Sequence, residues 1–341
     1  MKVLYAIQST GNGHICRAKE LIPYMSRRFQ FDVIISGPKP QLDLGYPIKK
    51  HLKGLTLYHN KKGGMDWTKI LFKNNLFLFF RDVISLRVQD YDLVINDFEP
   101  ISAWSCKLKG VLCFGISNQL SLWKKGITKP KKRFRFTIRF LKYFAPVKIG
   151  YGLHYQKFNK KIYHPIIRSK VKKLKTFNGN GIVVYLPAYE DKSILEITNQ
   201  LPYRQWHIFS RNVSQKKTIG CTHLYPINED IFLKLLSGAD GVITNAGFTT
   251  TSESLFLNKP LLVIPMKDHI EQIYNAFSLN KMGVKVLKKF SLKQLDEIDQ
   301  WLKNPQSIKI KFENELSGLI DQVALDFIKQ KFDQDSLVKV N

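Results

Sequence analysis

The chain alternates short, continuously apolar runs with longer helix-like stretches. Runs that are apolar at successive positions are typical of parallel strands whose two faces are both covered by helices. The first half of the chain contains the runs KVLYAIQS, FDVIISG, LTLYHN, DLVINDF, VLCFGIS and VKIGYG. These runs predict one parallel sheet, interrupted by a long helix over about residues 67–88.

The second half repeats this alternation, although no internal repeat of the sequence accompanies it. GIVVYLPA opens this half, and further strands are predicted at WHIFS, THLYPI, GVITNAG, PLLVIPM and VKVL. Helices are expected at about residues 190–200, 229–237, 250–257, 270–281 and 292–302, with a final helix at about 311–330. Because such folds bind ligands at the carboxyl ends of their strands, we expect a cleft between two facing sheets.

The length of 341 residues suits two domains better than a single core. The predicted fold class is α/β, with two Rossmann-like domains that face each other across a cleft. We predict a first domain at 1–160, a linker at 161–180, a second domain at 181–310 and a C-terminal helical segment at 311–341.

The net charge of +27 is concentrated in one region. Residues 100–189 contain 20 Lys or Arg and no Asp or Glu. The densest part, residues 122–148, alternates basic residues with Phe134, Phe136, Phe140, Tyr143 and Phe144. A basic, aromatic, amphipathic segment is typical of proteins that lie on an anionic bilayer, so we predict peripheral contact there. A face that binds an acidic polysaccharide, or one that is simply solvated, remains the alternative.

The cysteine pattern and hydropathy predict a cytoplasmic protein. Cys16, Cys106, Cys113 and Cys221 show neither metal-ligand spacing nor a disulfide framework, which favours a reducing compartment. The first apolar run is too short for a signal peptide, and no stretch reaches the roughly 18 apolar residues of a membrane span. Combined with the basic segment, this predicts peripheral attachment to the inner face of the cell membrane.

Candidate chemistry in the first half follows the first and fourth apolar runs. The loop STGNGHICRAKEL carries Gly11 and Gly13, which allow close approach of the backbone to a ligand, and His14 at a helix start. His14 is a candidate catalytic base, and the alternative is a capping or phosphate-binding histidine. Asp97 or Glu99 in NDFEP could orient its imidazole, although Asp97 could instead cap the following helix. Glu99 and Gln119 are candidate contacts of an acceptor substrate.

The stretch from Asp240 to Val286 carries the most specific pattern of polar residues. Gly247, Thr249 and Thr250 fall where a strand gives way to a helix, and the N–H groups of such a helix start suit a phosphate. Glu253 is close enough to meet a ribose diol, and Asp268, Glu271 and Gln272 follow the next strand, where a sugar could be held. The pattern therefore indicates a nucleotide-sugar site.

The patterns G-x-x-x-x-x-E, K-P-x-L-x-I-P and E-Q-x-x-N-A in this stretch resemble the donor half of GT-B glycosyltransferases. The resemblance includes the UDP-sugar enzymes around the peptidoglycan-precursor N-acetylglucosaminyltransferase and the UDP-glucuronosyltransferases, and a bacterial and archaeal branch of the same superfamily. It covers residues 1 to about 118 and 181 to about 289. Asn245 to Phe248 depart from it, since they stand where the family more often has a glycine pair.

The resemblance implies roles for individual residues. The histidine of the glycine loop is a proposed base in several members, which supports His14. Glu253 matches the ribose-binding carboxylate, and Ile227 stands where backbone groups meet the uracil edge. Glu271 and Gln272 occupy the positions of two glutamines that contact the donor sugar, and Asn245, Gly247, Thr249 and Thr250 would surround the diphosphate. The last helix is expected to pack back on the first domain.

The sequence thus predicts transfer of a hexose from a UDP-sugar to a hydroxyl of a membrane-associated or glycan acceptor. We expect inversion, no metal, because no obvious D-x-D metal motif accompanies the candidate site residues, and no cofactor besides the UDP-sugar as co-substrate. One alternative is a UDP-N-acetylhexosamine 2-epimerase of the same fold. Another is a basic nucleic-acid-binding protein, but no RNA-binding or helix-turn-helix signature accompanies the charge, and no nucleic-acid partner is expected.

Overall fold

A computed structural model describes residues 1–40, 42–60, 64–130, 134–177 and 179–338. In this part of the chain, two seven-stranded sheets form the centres of two α/β domains. The first sheet has the order β3-β2-β1-β4-β5-β6-β7, and all its pairings are parallel. Its strands are β1 Lys2–Gln8, β2 Gln30–Ser36, β3 Lys50–Leu52, β4 Leu93–Asp97, β5 Cys113–Ser117, β6 Ile149–Leu153 and β7 Ile162–Tyr163.

Helices cover both faces of the first sheet. They are α1 Asn12–Met25, α2 Trp67–Phe72, α3 Leu76–Ser85, α4 Pro100–Lys109, α5 Arg135–Phe144 and, in the connection to the second domain, α6 Ser169–Lys172. Short 3-10 helices lie at Val88–Asp90 and Gln119–Trp123. The pleat of β1 explains its continuous apolar run, because Val3, Tyr5 and Ile7 join the core on one face while Leu4 and Ala6 join the core on the other.

The second sheet has the order β10-β11-β9-β8-β12-β13-β14. Only the β10–β11 hairpin is antiparallel among its described pairings. Its strands are β8 Ile182–Tyr185, β9 Trp206–Ser210, β10 Lys217–Ile219, β11 Thr222–Pro226, β12 Gly241–Thr244, β13 Leu261–Val263 and β14 Lys285–Val286. The helices are α7 Asp191–Thr198, α8 Glu229–Gly238, α9 Phe248–Phe256, α10 Ile270–Lys281, α11 Leu295–Lys303 and α12 Leu316–Val338, with a 3-10 helix at Leu292–Gln294.

Three predicted elements differ from those observed. The third strand of the chain is β3, and the run LTLYHN at 55–60, which was predicted to be that strand, follows β3 outside the named strands. The long helix expected over 67–88 is divided into α2 and α3, since the Asn75 side chain accepts a hydrogen bond from the N–H of Leu78 and starts a new helix. The predicted boundary at 160 falls before β7, so the first sheet extends into the predicted linker.

Two features join the domains. Leu316, Leu319, Ile320 and Val323 of α12 pack into the core of the first domain, against α1. Ile270 and Tyr274 of α10, in the second domain, pack into the core on the other face of the first sheet. In the part of the chain that the structure describes, no helix is long and apolar enough to cross a membrane.

Candidate active site

His14 and Asp97 meet at one edge of the first sheet. β1 and β4 are neighbours and run parallel, with Ile7 opposite Asp97, so the segments that follow them leave the sheet together. Gly11 has a φ of 92° and turns the chain from β1 into α1, whose first turn carries His14. As a result His14 Nδ1 lies 2.8 Å from Asp97 Oδ1, and both side chains are buried.

Arg17 completes this cluster. It lies one turn after His14 on α1, and its Nε and Nη2 donate to the two oxygens of Asp97 at 2.8 and 2.6 Å. Burial by itself raises the pKa of Asp97, but the charges of Arg17 and His14 outweigh it and hold that pKa below its usual range. Arg17 Nη2 also lies 2.9 Å from His14 Nδ1. In the tautomer with the proton on Nδ1, His14 donates to the ionised Asp97, and Nε2 is then the nitrogen that can take a proton.

Glu99 does not face the cleft, contrary to its predicted role as an acceptor contact. Its carboxylate is buried, accepts hydrogen bonds from the N–H groups of Ile101 and Ser102 at 2.7 and 2.6 Å, and also binds the Ser36 hydroxyl. Glu99 is therefore the cap of α4, so the alternative that Asp97 caps this helix is wrong as well. Phe98, with a φ of 59°, separates the two acids and turns their side chains in different directions.

The start of α9 faces the glycine loop across the cleft. Gly247 precedes α9 without a side-chain cap, so the first N–H groups of the helix are available to a ligand. A Cβ placed on Gly13 would lie 3.3 Å from Thr249 Oγ1, which shows how closely the two domains approach here. Asn245 does not belong to this surface, because it is buried and its amide donates to the carbonyl of Ile264 at 2.7 Å.

Two adjoining cavities lie in the cleft and share Gly13, Thr249 and Thr250. The inner cavity has a volume of about 300 Å³ and is lined by both domains, including His14, Gln119, Gly247, Asp268, Glu271 and Gln272. The outer cavity, of about 1020 Å³, is lined by Gly11, Lys39, Arg168, Arg211, Ile227 and Glu229 among others. Most of the predicted residues therefore converge on one cleft, large enough for a nucleotide and a sugar.

Glu271 is held from the opposite domain. Asn118 Nδ2 donates to its Oε1 at 2.9 Å, and Gln119 Nε2 donates to its Oε2 at 3.1 Å. Asn118 also accepts from Arg17 Nη1 at 3.2 Å, so a polar chain runs from Asp97 to the far wall of the inner cavity. Gln272 accepts from the N–H of Met266 at 3.0 Å, which leaves its amide nitrogen for a ligand.

Glu253 is in the second domain as predicted, but its carboxylate is closed off from both cavities. Glu253 is 1% exposed, and Nε and Nη2 of Arg168 donate to its Oε1 and Oε2, each at 2.6 Å. Arg168 also donates through Nη1 to Glu229. Burial raises the pKa of Glu253, and the Arg168 guanidinium opposes that rise.

Sequence reasoning missed Arg17 and Arg168. Arg17 received no role, although its position three residues after His14 on one helix was a usable signal. Arg168 belonged to the predicted linker and carried no local signal, because its partners, Glu229 and Glu253, are 61 and 85 residues away.

In the described part of the chain, one group of side chains has the spacing of a metal site: His164, Glu313 and Glu315. It lies near the crossing between the domains, and the Lys157 ammonium already pairs with Glu315. The group lines neither the inner nor the outer cavity.

Two facing parallel-sheet domains define a GT-B glycosyltransferase, and their cleft is lined by His14, which Asp97 supports from behind, on one side and by a helix start on the other. The family model described as Glycosyl transferase family 1 matches residues 1–304, and the chain belongs to this family. No curated protein matches the chain.

Solved structures with the same fold include enzymes of different activities. UGT2 of Phytolacca americana, complexed with UDP-2-fluoro-glucose and pterostilbene, has a TM-score of 0.61 at 14% identity, over 95% of this chain and 98% of that one. MurG of Acinetobacter baumannii has a TM-score of 0.59 at 15% identity, over 95% and 99%. A putative UDP-N-acetylglucosamine 2-epimerase of Listeria monocytogenes has a TM-score of 0.57 at 12% identity, over 98% and 97%. At these identities the similarity establishes the fold.

Proposed function

We propose that this glycosyltransferase moves a hexose from a UDP-sugar to a hydroxyl group of a membrane-associated or glycan acceptor, with inversion and without a metal. The observation that carries the proposal is the inner cavity itself. His14, supported by Asp97, lines one wall, and Gly247, Thr249 and the start of α9 line the other. A base and a site for an anionic leaving group thus face the same small volume.

In this proposal the nucleotide occupies the outer cavity, with the uracil against the exposed backbone at Ile227. Gly11, Gly13, Gly247, Thr249 and Thr250 surround the diphosphate, where short side chains and free N–H groups suit close approach. Asp268, Glu271 and Gln272 hold the hexose in the inner cavity, next to His14. Glu253 accepts the hydroxyls of the ribose.

The reaction is a single displacement. The acceptor oxygen attacks the anomeric carbon from the face opposite the diphosphate, and His14 Nε2 takes the hydroxyl proton. The bond between the anomeric carbon and the diphosphate oxygen breaks, and UDP leaves with the electron pair. The positive end of α9, together with Lys39 and Arg211 on the wall of the outer cavity, compensates the charge of the leaving group.

The acceptor is proposed to lie on an anionic membrane, because the first domain exposes an apolar and basic surface. We call it the docking surface; it comprises α2, α3 and the exposed face of α5. Phe72, Phe77 and Phe136 are 81, 80 and 71% exposed, and Trp67 packs on Phe140 with ring centroids 4.9 Å apart, which joins α2 to α5.

This surface differs from the predicted segment at 122–148. Phe144 is buried in the core, whereas α2 and α3 contribute Phe72, Phe77 and other exposed apolar side chains that the prediction missed. Lys69, Lys73, Arg81, Arg135 and Arg139 lie among them along the three helices. Residues 131–133 of the predicted segment lie outside the described residues. Apolar rings among cations suit the interface of an anionic bilayer, and we propose the inner face of the cell membrane.

Calorimetry with UDP tests the donor proposal. The native protein should bind UDP, and Glu253→Gln should weaken binding at least about ten-fold, because a neutral amide replaces a charged acceptor of two hydroxyls. Asp240→Asn, a change outside the cleft, is the control for folding. Unchanged affinity of the Glu253 variant would remove the ribose assignment, and the absence of UDP binding to the native protein would remove the donor class. Protection against thermal unfolding by a panel of UDP-sugars then identifies the hexose.

A UDP-N-acetylhexosamine 2-epimerase is the second candidate, since a putative enzyme of that kind has the same fold and two carboxylates, Asp268 and Glu271, lie at the sugar end of the cleft. An epimerase would exchange the hydrogen at C2 of the sugar with solvent in the absence of any acceptor. Incubation of UDP-N-acetylglucosamine in deuterated water separates the two functions, because a transferase leaves C2 unlabelled. A filter-binding assay with RNA and DNA tests the expectation of no nucleic-acid partner.

A further inference from the structure

The pairing of Arg168 with Glu253 leaves no access for a ribose. Both oxygens of Glu253 are occupied by the same guanidinium at 2.6 Å, and the carboxylate is 1% exposed. Arg168, whose side chain is 14% exposed, lines the outer cavity, whereas Glu253 does not. The guanidinium therefore lies between the carboxylate and the space in which a nucleotide would bind.

Arg168 has a second partner that keeps it near the cavity. Its Nη1 donates to Glu229, which lines the outer cavity and is itself paired with Lys170 at 3.0 Å. If the fork to Glu253 opens, the side chain remains attached through Glu229 and can turn within the cavity. Thr249, at the start of α9, lies on the wall of that same cavity.

The chemistry of a nucleoside diphosphate matches both halves of this pair. Two adjacent ribose hydroxyls offer two donors to a carboxylate, as the Nε and Nη2 of an arginine do. The oxygens of a diphosphate can accept hydrogen bonds from the guanidinium, in place of the carboxylate oxygens that the guanidinium has left. An exchange of partners therefore leaves both charged groups hydrogen-bonded, whereas loss of either partner alone would leave the other without a hydrogen-bond partner at this site.

We propose that donor binding exchanges the partners of Arg168: the ribose hydroxyls replace it on Glu253, and its guanidinium turns to the diphosphate at the start of α9. This inference rests on the proposed function and adds a donor-binding residue to it. Without a nucleotide, Arg168 covers the carboxylate of Glu253. A bound nucleotide uncovers it, because the ribose hydroxyls replace Arg168 on Glu253 and the diphosphate replaces Glu253 on Arg168.

The comparison of uridine with UDP separates the two roles of Arg168. Uridine has the ribose but no phosphate, so Arg168 affects uridine binding only by covering the carboxylate of Glu253. Calorimetry on Arg168→Gln should show uridine bound as tightly as, or more tightly than, by the native protein. The advantage of UDP over uridine should fall at least about ten-fold, because a charge-assisted contact to the diphosphate is lost.

Arg168→Lys keeps the charge but cannot fork a carboxylate, and it serves if the glutamine variant does not fold. It should bind uridine at least as well as the native protein does and retain part of the UDP advantage. Arg28→Gln, which removes an exposed pair with Asp321, is the matched control and should change neither affinity.

Two results would overturn the exchange. Equal weakening of uridine and UDP in the Arg168 variants would mean that the arginine only holds Glu253 in place. An unchanged UDP advantage would mean that the guanidinium never meets the diphosphate. Failure of the proposed function is a different result, since the native protein would then bind no UDP, or Glu253→Gln would bind it normally.

Discussion

His14 Nδ1 lies 2.8 Å from Asp97 Oδ1, although the two residues are 83 positions apart in the chain. Asp97 ends β4 and His14 follows β1, and these two strands are neighbours in one parallel sheet. The contact therefore results from topology, and it holds the imidazole of His14 on the wall of the inner cavity.

Replacement of either partner should abolish transfer while leaving the donor bound. We expect His14→Gln to lower kcat about a hundred-fold or more, since general-base catalysis is lost, and Asp97→Asn to act in the same direction. UDP affinity, measured by calorimetry, should stay at the native value in both. A His14→Gln enzyme with native turnover would show that another group takes the proton.

Glu99→Gln should affect stability and leave acceptor binding unchanged. The Glu99 carboxylate accepts three hydrogen bonds, two from N–H groups at the start of α4 and one from the Ser36 hydroxyl. The amide of the variant has one acceptor oxygen instead of two, which should lower the free energy of unfolding by about 1–2 kcal/mol. Gln119→Ala, whose side chain lines the inner cavity, should instead raise the KM for the acceptor. A changed acceptor KM with Glu99→Gln and a native one with Gln119→Ala would reverse these roles.

The docking surface should bind anionic vesicles through its phenylalanines. Phe72→Ser combined with Phe77→Ser should lower partitioning at least about ten-fold, because two exposed rings can no longer enter the bilayer. Added salt should also weaken the binding of the native protein to anionic vesicles, because it screens the attraction between the basic side chains and the lipid headgroups. Leu292→Ser, which changes an apolar side chain that is 52% exposed on the second domain, is the control in flotation with and without phosphatidylglycerol. Native binding by the double variant would place the membrane contact elsewhere.

His154 should make the protein less stable as the pH falls. Burial lowers the pKa of His154 to about 4, while the side chain bonds Ser278 of α10 across the domains. Between about pH 6.5 and 4 the unfolded chain binds a proton there that the folded protein does not, so stability is full above this window and declines through it. The loss attributable to this group is at most about 3 kcal/mol.

Thermal unfolding at a series of pH values checks this prediction. A His154→Gln variant should show a shallower decline of Tm between pH 6.5 and 4 than the native protein, whatever its starting stability. The other histidines contribute equally to both proteins and cancel in the comparison. Parallel curves would show that His154 is not the group that titrates.

Much of the fold was accessible from the sequence because parallel sheets buried on both faces leave continuous apolar runs. The runs at β1, β4, β8 and β12 each contain several successive buried residues, and no half-exposed sheet would have produced that pattern. The proximity of His14 and Asp97 was accessible for the same reason, since both follow strands at one edge.

The remaining details depend on geometry that has no local signature. Asp97 and Glu99 are both acids before a helix, and only the left-handed backbone at Phe98 decides which one caps it. Arg168 and Glu253 come from distant parts of the chain, so the ribose-binding role that the resemblance implies for Glu253 gave no hint that its carboxylate is covered.

The break between α2 and α3 had a similar cause. A periodic apolar pattern runs through residues 67–88, but Asn74 and Asn75 form side-chain hydrogen bonds with the backbone and end one helix before the next begins. The interruption places Phe72 and Phe77 on adjacent helices, and both side chains are exposed. The docking surface therefore depends on two asparagines whose effect was not visible in hydropathy.

The return of α12 to the first domain has a consequence for how the protein is made. Leu316, Leu319, Ile320 and Val323 of α12 complete a core whose other buried members all precede residue 152. During synthesis that face of the first sheet therefore stays partly uncovered until the residues of α12 have left the ribosome. A gene cut between the two halves would yield an amino-terminal fragment that lacks its own last helix.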